Sequence, residues 1–358
     1  MIKVVLNILI FIFFIVFYIL YSIIGLGTLI VLRTLLVWNK NIETKLTKFV
    51  KIHWLDATMA FLGFYFPKPI FIGYDTKILN KKKTIIISNH QTNYDWLFII
   101  TVLHSLGKYE DIFIILKESL AKVPIYGYGM KVFGYIFLKR KWHEDRETLV
   151  NGLKMLRSRD SYNLLLFPEG TLIDSQTHAK SKVFSETNNI LFEGKPFNPE
   201  EVLIPRKRGF SVIYDILKDE IDGIIDITIL FNPYEKYPQD KSSLWDVFIT
   251  RKAIVDFIFT ISFIKNSPEI AKEDFLYDIF SKKENLILKY KERKEEIKSL
   301  ENIENIHDIW YGKKGNYKYG KVFVWSNVSQ ILLTGYCFLF GILVLRFIES
   351  FFNFEIVP

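Results

Sequence analysis

In the stretch "SNHQTNYDW" (88–96), His90 and Asp95 stand with four residues between them, directly after the apolar run "TIIIS". Histidine is the side chain whose pKa suits proton abstraction near neutral pH. A carboxylate bonded to its second ring nitrogen fixes the tautomer and stabilises the imidazolium as it forms. Such a pair can take the proton of an alcohol while the alcohol oxygen attacks an acyl group. Neither Ser88 nor Thr92 is required as a nucleophile, and the Gly-x-Ser-x-Gly elbow of serine hydrolases is absent from the sequence. His followed by Asp at this spacing is a weak motif by itself, so the weight falls on its surroundings.

Those surroundings alternate short apolar, β-rich runs with longer mixed ones. Strands are predicted over "TIIIS" (84–88), "IFIIL" (112–116), "YIFL" (135–138), "YNLLLF" (162–167), "EVLIP" (201–205) and "IIDITIL" (224–230), with helices over 96–106 and 144–157. The pattern implies an α/β fold with a mostly parallel, covered sheet. Sheets of this kind carry their ligand groups on loops at the carboxyl ends of strands. Three polar loops meet that condition: the His90 stretch, "FPEGT" (167–171) and "PRKRGF" (205–210), which together suggest one site. Glu169, a carboxylate between Pro and Gly at a strand end, has no packing reason to be there. No cluster of His, Cys and carboxylates has metal-ligand spacing, so no metal is expected. His53, His104, His143, His178 and His307 read as structural or surface residues. The Glu/Lys-rich segment 282–305 reads as a solvated helix without direct chemistry.

Two apolar runs bracket this body. The first, 4–32, has no charged residue and is too long for a signal-peptide core. At helical rise it extends roughly 44 Å against a hydrocarbon core of roughly 30 Å, so it must tilt or break, with Gly25 and Gly27 as the expected break. A single tilted span and a re-entrant hairpin both remain open. The second run, 322–345, is long enough to cross once. Lys40, Lys45, Lys48 and Lys51 follow the first run, and Lys313, Lys314, Lys318 and Lys321 precede the second, which places the segment between them in the cytosol. The expected organisation is therefore a membrane anchor over 1–39, a cytosolic domain over 40–321 and a transmembrane helix over 322–348. The aromatic stretch 53–72 either lies in the membrane interface or covers the sheet. The net charge of +8 fits a surface facing anionic lipid, and no nucleic-acid module accompanies the scattered lysines. The single cysteine, Cys337, excludes an internal disulfide framework.

Four blocks in order carry a resemblance to the glycerolipid acyltransferases of the lysophosphatidic acid acyltransferase superfamily. N-H-x-x-x-x-D is matched by Asn89, His90 and Asp95. K-x-x-L-x-x-x-P-x-x-G with a later arginine is matched by Lys117, Leu120, Pro124, Gly127 and Arg140. F-P-E-G-T stands complete over 167–171, and an apolar stretch ending in proline is matched by "VLIP" with Pro205. The resemblance implies His90 as general base, Asp95 as its partner, and substrate-binding roles for Asn89, Lys117, Arg140, Glu169, Gly170, Thr171, Pro205 and Arg206. Lys117 and Arg140 would bind phosphate, Glu169, Gly170 and Thr171 would shape the acceptor pocket, and Pro205 and Arg206 would close the site near the acyl donor. It further implies the glycerolipid acyltransferase fold, acyl-CoA as co-substrate with no other cofactor, and a lysophospholipid acceptor at a bilayer. The sequence looks most like the branch of lysocardiolipin and lysophosphatidylinositol acyltransferases, which resides mainly in the endoplasmic reticulum. A CoA-independent transacylase and a non-catalytic scaffold are the alternatives. Leu172, where an arginine is frequent, and Lys139, where an acid is common, depart from the pattern and bear on acceptor identity.

Overall fold

The computed structural model describes residues 2–35, 38–66, 69–251, 256–293 and 317–322. The expected transmembrane helix 322–348 lies outside these residues except for Val322. In chain order the elements begin with α1 (Ile2–Leu35), α2 (Lys40–Tyr65), β1 (Ile70–Asp75), β2 (Lys83–Ser88), α3 (Asp95–Ser105), β3 (Ile112–Lys117), α4 (Tyr126–Val132) and β4 (Ile136–Leu138). They continue with α5 (Trp142–Arg157), β5 (Tyr162–Leu166), α6 (Ser175–Thr187), a small hairpin β6 (Leu191–Phe192) and β7 (Lys195–Pro196), α7 (Lys207–Leu217), β8 (Gly223–Asn232), β9 (Asp256–Lys265), α8 (Phe275–Glu292) and β10 (Tyr317–Val322).

The described chain divides into two compact units, one holding α1, α2 and residues 121–133, the other holding 68–120 and 134–323. In the first unit α1 runs unbroken through Gly25 and Gly27, which corrects the expected break. Each glycine costs a helix only about 1 kcal/mol relative to alanine, and apolar neighbours on both sides sustain the run. Among the described residues, Val4–Leu35 is the one helix long and apolar enough to cross a membrane. The α2 helix packs on it through aromatic rings, with Tyr18 stacked on Phe61 at 5.8 Å and Phe14 set edge-on to Tyr65 at 6.4 Å. Tyr18 Oη and Thr58 Oγ1 are hydrogen-bonded at 2.5 Å. Much of the aromatic stretch 53–72 is therefore the second half of α2, packed on α1, and its end opens β1. The change of organisation falls near residue 67, because the apolar face of α2 is satisfied by α1.

The second unit is built on an eight-stranded sheet of order β10-β1-β9-β8-β2-β5-β3-β4. Five neighbouring pairs are parallel and two, β1 with β10 and β8 with β9, are antiparallel. The mixed α/β architecture with a mostly parallel sheet agrees with the sequence reading. Ile85 and Ile87 of β2, Leu164 and Leu166 of β5 and Ile224 of β8 share one hydrophobic core with the apolar stripes of α5 and α7. Central strands buried on both faces read as continuous apolar runs, which is why they were legible.

Two expectations fail here. "EVLIP" is not a strand, since Leu203 N donates to the Glu169 carboxylate at 2.9 Å and Ile204 N to Ser181 Oγ at 3.1 Å. Side chains satisfy this backbone, so no ladder forms. The segment 282–305 is not simply solvated either: its described part is the end of α8, where Lys283, Leu286, Ile287 and Tyr290 are buried. With Leu276, Ile279 and Phe280 they form a stripe at helical spacing that faces the core.

At Gly223, which opens β8 with φ +156°, an added Cβ would lie 2.2 Å from the Ile264 carbonyl oxygen. Gly223→Ala is therefore expected to destabilise this unit by about 3 kcal/mol, read as a lowered Tm in thermal unfolding.

Candidate active site

β2 ends at Ser88, and the next residue fastens the turn that follows. Asn89 Nδ2 donates to Ile229 O at 3.1 Å, and Ile229 N donates to Asn89 Oδ1 at 2.8 Å. Asn89, expected to touch substrate, has its amide engaged by β8 and is fully buried. One residue on, His90 Nδ1 donates to Asp95 Oδ2 at 2.9 Å. Asp95 also accepts Gln91 N at 2.5 Å, Thr92 N at 2.9 Å and Thr92 Oγ1 at 2.7 Å. It opens α3, so the helix dipole favours its charge. A carboxylate held by these donors selects the His90 tautomer with hydrogen on Nδ1, leaving Nε2 as the basic nitrogen. The ring stacks on Phe167 at 4.1 Å, and its side chain retains 18 % exposure.

Glu169 joins two loops. Its Oε2 accepts His90 N at 2.6 Å and its Oε1 accepts Leu203 N at 2.9 Å, so both oxygens are taken by backbone. Ile173 N closes the same turn by donating to His90 O at 2.8 Å. Burial pushes the Glu169 carboxyl up to about 8, opposed by the two N–H donors and by the Lys283 ammonium, with Asp95 pushing upward again. Lys283, passed over by the sequence reading, stands on the inward stripe of α8, and that spacing was the signal that could have found it.

Three cations belong to nearby segments: Lys117 closes β3, Arg140 follows β4 and Arg206 precedes α7. Lys117 is the last residue of β3 and the register partner of Leu138, two positions before Arg140. Arg140 adopts φ +67°, an unusual conformation for a residue with a side chain. The turn around it is held by the Asp145 carboxylate, which accepts Lys139 N and Lys141 N at 2.7 Å each. Partial desolvation lowers the Arg140 pKa, and the positive charge of Arg206 lowers it further. Arg206 in turn lies against Gly170, where an added Cβ would meet Nε at 2.9 Å, and its N donates to Pro168 O at 2.8 Å. Among the described residues no carboxylate pairs with Arg140 or Arg206. Two guanidinium groups left near each other without an acid suit a phosphate-bearing ligand. Thr171 is half-buried beside Gly170, and Pro205 is buried at the end of the 201–205 segment. Pro124 and Gly127 of the second block fall in the other unit. Among the described residues no group of His, Cys, Asp and Glu is arranged to hold a metal ion.

A family model described as Acyltransferase matches residues 70–229. An uncharacterized acyltransferase of Schizosaccharomyces pombe is 30% identical over 271 residues, which is 70% of this chain and 75% of that protein. The chain belongs to the acyltransferase family. This acyltransferase is also 28% identical over 303 residues to the 2-acyl-1-lysophosphatidylinositol acyltransferase of Saccharomyces cerevisiae, covering 73% of this chain and 74% of the relative. Lysocardiolipin acyltransferase 1 of Danio rerio is 34% identical over 194 residues, 53% of this chain and 48% of its own length. Among solved structures, the 1-acyl-sn-glycerophosphate acyltransferase PlsC of Thermotoga maritima superimposes with a TM-score of 0.50 at 16% identity, covering 83% of this chain and 98% of that one. That likeness shows the fold.

The buried Glu169 of this acyltransferase ties stability to pH. Its folded carboxyl binds a proton up to about 8, while an unfolded one releases it near 4.5. The contribution is full below 4.5 and falls as pH rises to about 8, because between those values the folded state holds the extra proton. Chemical denaturation across this range should show that falling component in the wild type. Glu169→Gln should flatten it and, by setting an amide against one backbone N–H, destabilise the fold by roughly 1–3 kcal/mol.

Proposed function

We propose that this chain transfers a fatty acyl group from acyl-CoA to the free hydroxyl of a lysophospholipid, with His90 as general base and Asp95 as its orienting partner. The observation that carries the reading is the 2.9 Å bond from His90 Nδ1 to Asp95, which leaves Nε2 as the basic nitrogen. The acceptor hydroxyl gives its proton to Nε2 as its oxygen bonds to the thioester carbonyl carbon. The tetrahedral oxyanion then collapses, the carbon–sulfur bond breaks, and the His90 imidazolium returns the proton to the departing thiolate. Asp95 steadies that imidazolium throughout. No side-chain nucleophile is needed.

Arg140, Arg206 and Lys117 are read as the phosphate ligands of the two substrates, which suits their charge and the absence of carboxylate partners for the arginines among the described residues. The names of the yeast and zebrafish relatives support a lysophospholipid acceptor. Helix α1 supports attachment to a bilayer, and the lysines that follow it support a cytosolic catalytic unit; residence in the endoplasmic reticulum is part of the same reading.

The experiment is coenzyme A release by membranes holding the wild type or His90→Ala, supplied with oleoyl-CoA and a panel of lysophospholipids. His90→Ala is expected to lower kcat by about 10²–10⁴-fold without unfolding the protein. Normal turnover in that variant would sink the mechanism, while release-free transfer from a labelled phospholipid would replace the donor. Arg140→Ala is expected to raise KM for a phosphate-bearing substrate about ten-fold with kcat nearly unchanged, as loss of a binding contact does.

A further inference from the structure

Three cations stand in a row after β4, Lys139, Arg140 and Lys141, and two acids in the first turn of α5 treat them differently. Asp145 is 6% exposed and commits both carboxylate oxygens to backbone: Oδ1 accepts Lys139 N and Oδ2 accepts Lys141 N, at 2.7 Å each. The two amides flank Arg140, so one carboxylate closes the chain around it. Arg140 stands at φ +67°, where a Cβ is crowded by the backbone and glycine is the usual occupant. A residue with a side chain keeps such a conformation only where its surroundings over-determine it, and these two bonds supply that constraint. Glu144 acts on the side chains instead. Its Oε2 takes the Lys139 ammonium at 2.8 Å and its Oε1 the Lys141 ammonium at 3.3 Å. Arg140, exposed between them, has no carboxylate partner among the described residues.

We propose that Asp145 is a positioning residue for Arg140, and that together with Glu144 it singles out this one cation of the three as a phosphate ligand. The inference rests on the binding role proposed above for Arg140. Reversing the sign of φ redirects the Cα–Cβ bond relative to the neighbouring residues, which accords with Lys139 and Lys141 meeting one carboxylate that Arg140 does not. The two lysine pairs are exposed and add little to stability; what they do is occupy the ammonium groups. A guanidinium meets phosphate through a planar fork of donors, so its direction matters more than that of an ammonium. A fork whose backbone is already held also loses less freedom when the ligand arrives. Asp145 suits the task because the start of α5 favours its charge and because a carboxylate offers two equivalent acceptors. Without it the turn relaxes toward negative φ and carries the guanidinium away from the ligand.

The test has two arms, one of which does not depend on acyl transfer. In that arm, thermal unfolding of the full-length protein in detergent is compared for R140G and R140A, each alone and combined with D145N, which preserves the side-chain shape but accepts through one oxygen only. Glycine is favoured over alanine at a left-handed position and disfavoured elsewhere. R140G is therefore expected to melt about 2 °C above R140A, and the order to vanish or reverse with D145N. An order that survives D145N overturns the claim that Asp145 holds the turn. In the activity arm, KM is measured for oleoyl-CoA and for the lysophospholipid. D145N is expected to raise KM about ten-fold for whichever substrate R140A affects, with kcat nearly unchanged, and R140A/D145N to be no worse than R140A because both remove one contact. K139A and K141A are expected to leave that KM within about two-fold. An R140A without effect on either KM, a D145N that lowers kcat alone, additive losses in the double variant, or a flanking lysine whose removal matches R140A each overturns the inference. Should the wild type transfer no acyl group, the proposed function fails while the melting order still decides whether Asp145 sets the Arg140 turn.

Discussion

Two buried acidic side chains hold the candidate site together by accepting backbone N–H groups. Asp95 takes those of Gln91 and Thr92, and Glu169 takes those of His90 and Leu203. Each bond converts a loop that could adopt many conformations into one that presents His90 at a single angle. The loss of these bonds inside the protein would leave both partners unsatisfied. The strands supply the frame, but the carboxylates decide where the imidazole stands.

This arrangement concentrates negative charge in a dry region, and its neighbours answer that charge unequally. Asp95 has the start of α3 and a Thr hydroxyl as well as backbone donors. Asp226 has the Lys283 ammonium. Glu169 has two N–H groups and only a share of Lys283, so burial prevails and raises it to about 8. The same low-dielectric setting makes Glu169 sensitive to pH. At the rim the balance reverses: Arg140 and Arg206 repel one another with no carboxylate partner among the described residues, a state that an anion would relieve.

Much of the fold was readable because it follows from patterns of period two and period three to four. The apolar runs of β2, β5 and β8 and the stripe of α5 are of this kind. "EVLIP" misled because an apolar extended run looks the same whether its N–H groups meet a strand or the side chains of Glu169 and Ser181. Lys283 misled because a lysine among glutamates and lysines reads as solvated unless the apolar residues three and four positions away are counted with it. The strands β1, β9 and β10 were missed or merged with neighbouring segments, since partners far apart in the chain leave no local mark.

The sequence by itself determined the chemistry-bearing types and their spacing: His90 and Asp95 within one turn, "FPEGT" after a strand, and arginines after two further apolar runs. Local contacts suffice for such short-range pairs, so the 2.9 Å dyad was within reach of sequence reasoning. Only the tertiary structure decided that Asn89 is bound to Ile229, that Glu169 links His90 to Leu203, and that Arg140 and Arg206 come near each other. These partners lie 34 to 140 residues apart for the hydrogen bonds, and their meeting depends on strand order and burial, which no local pattern encodes.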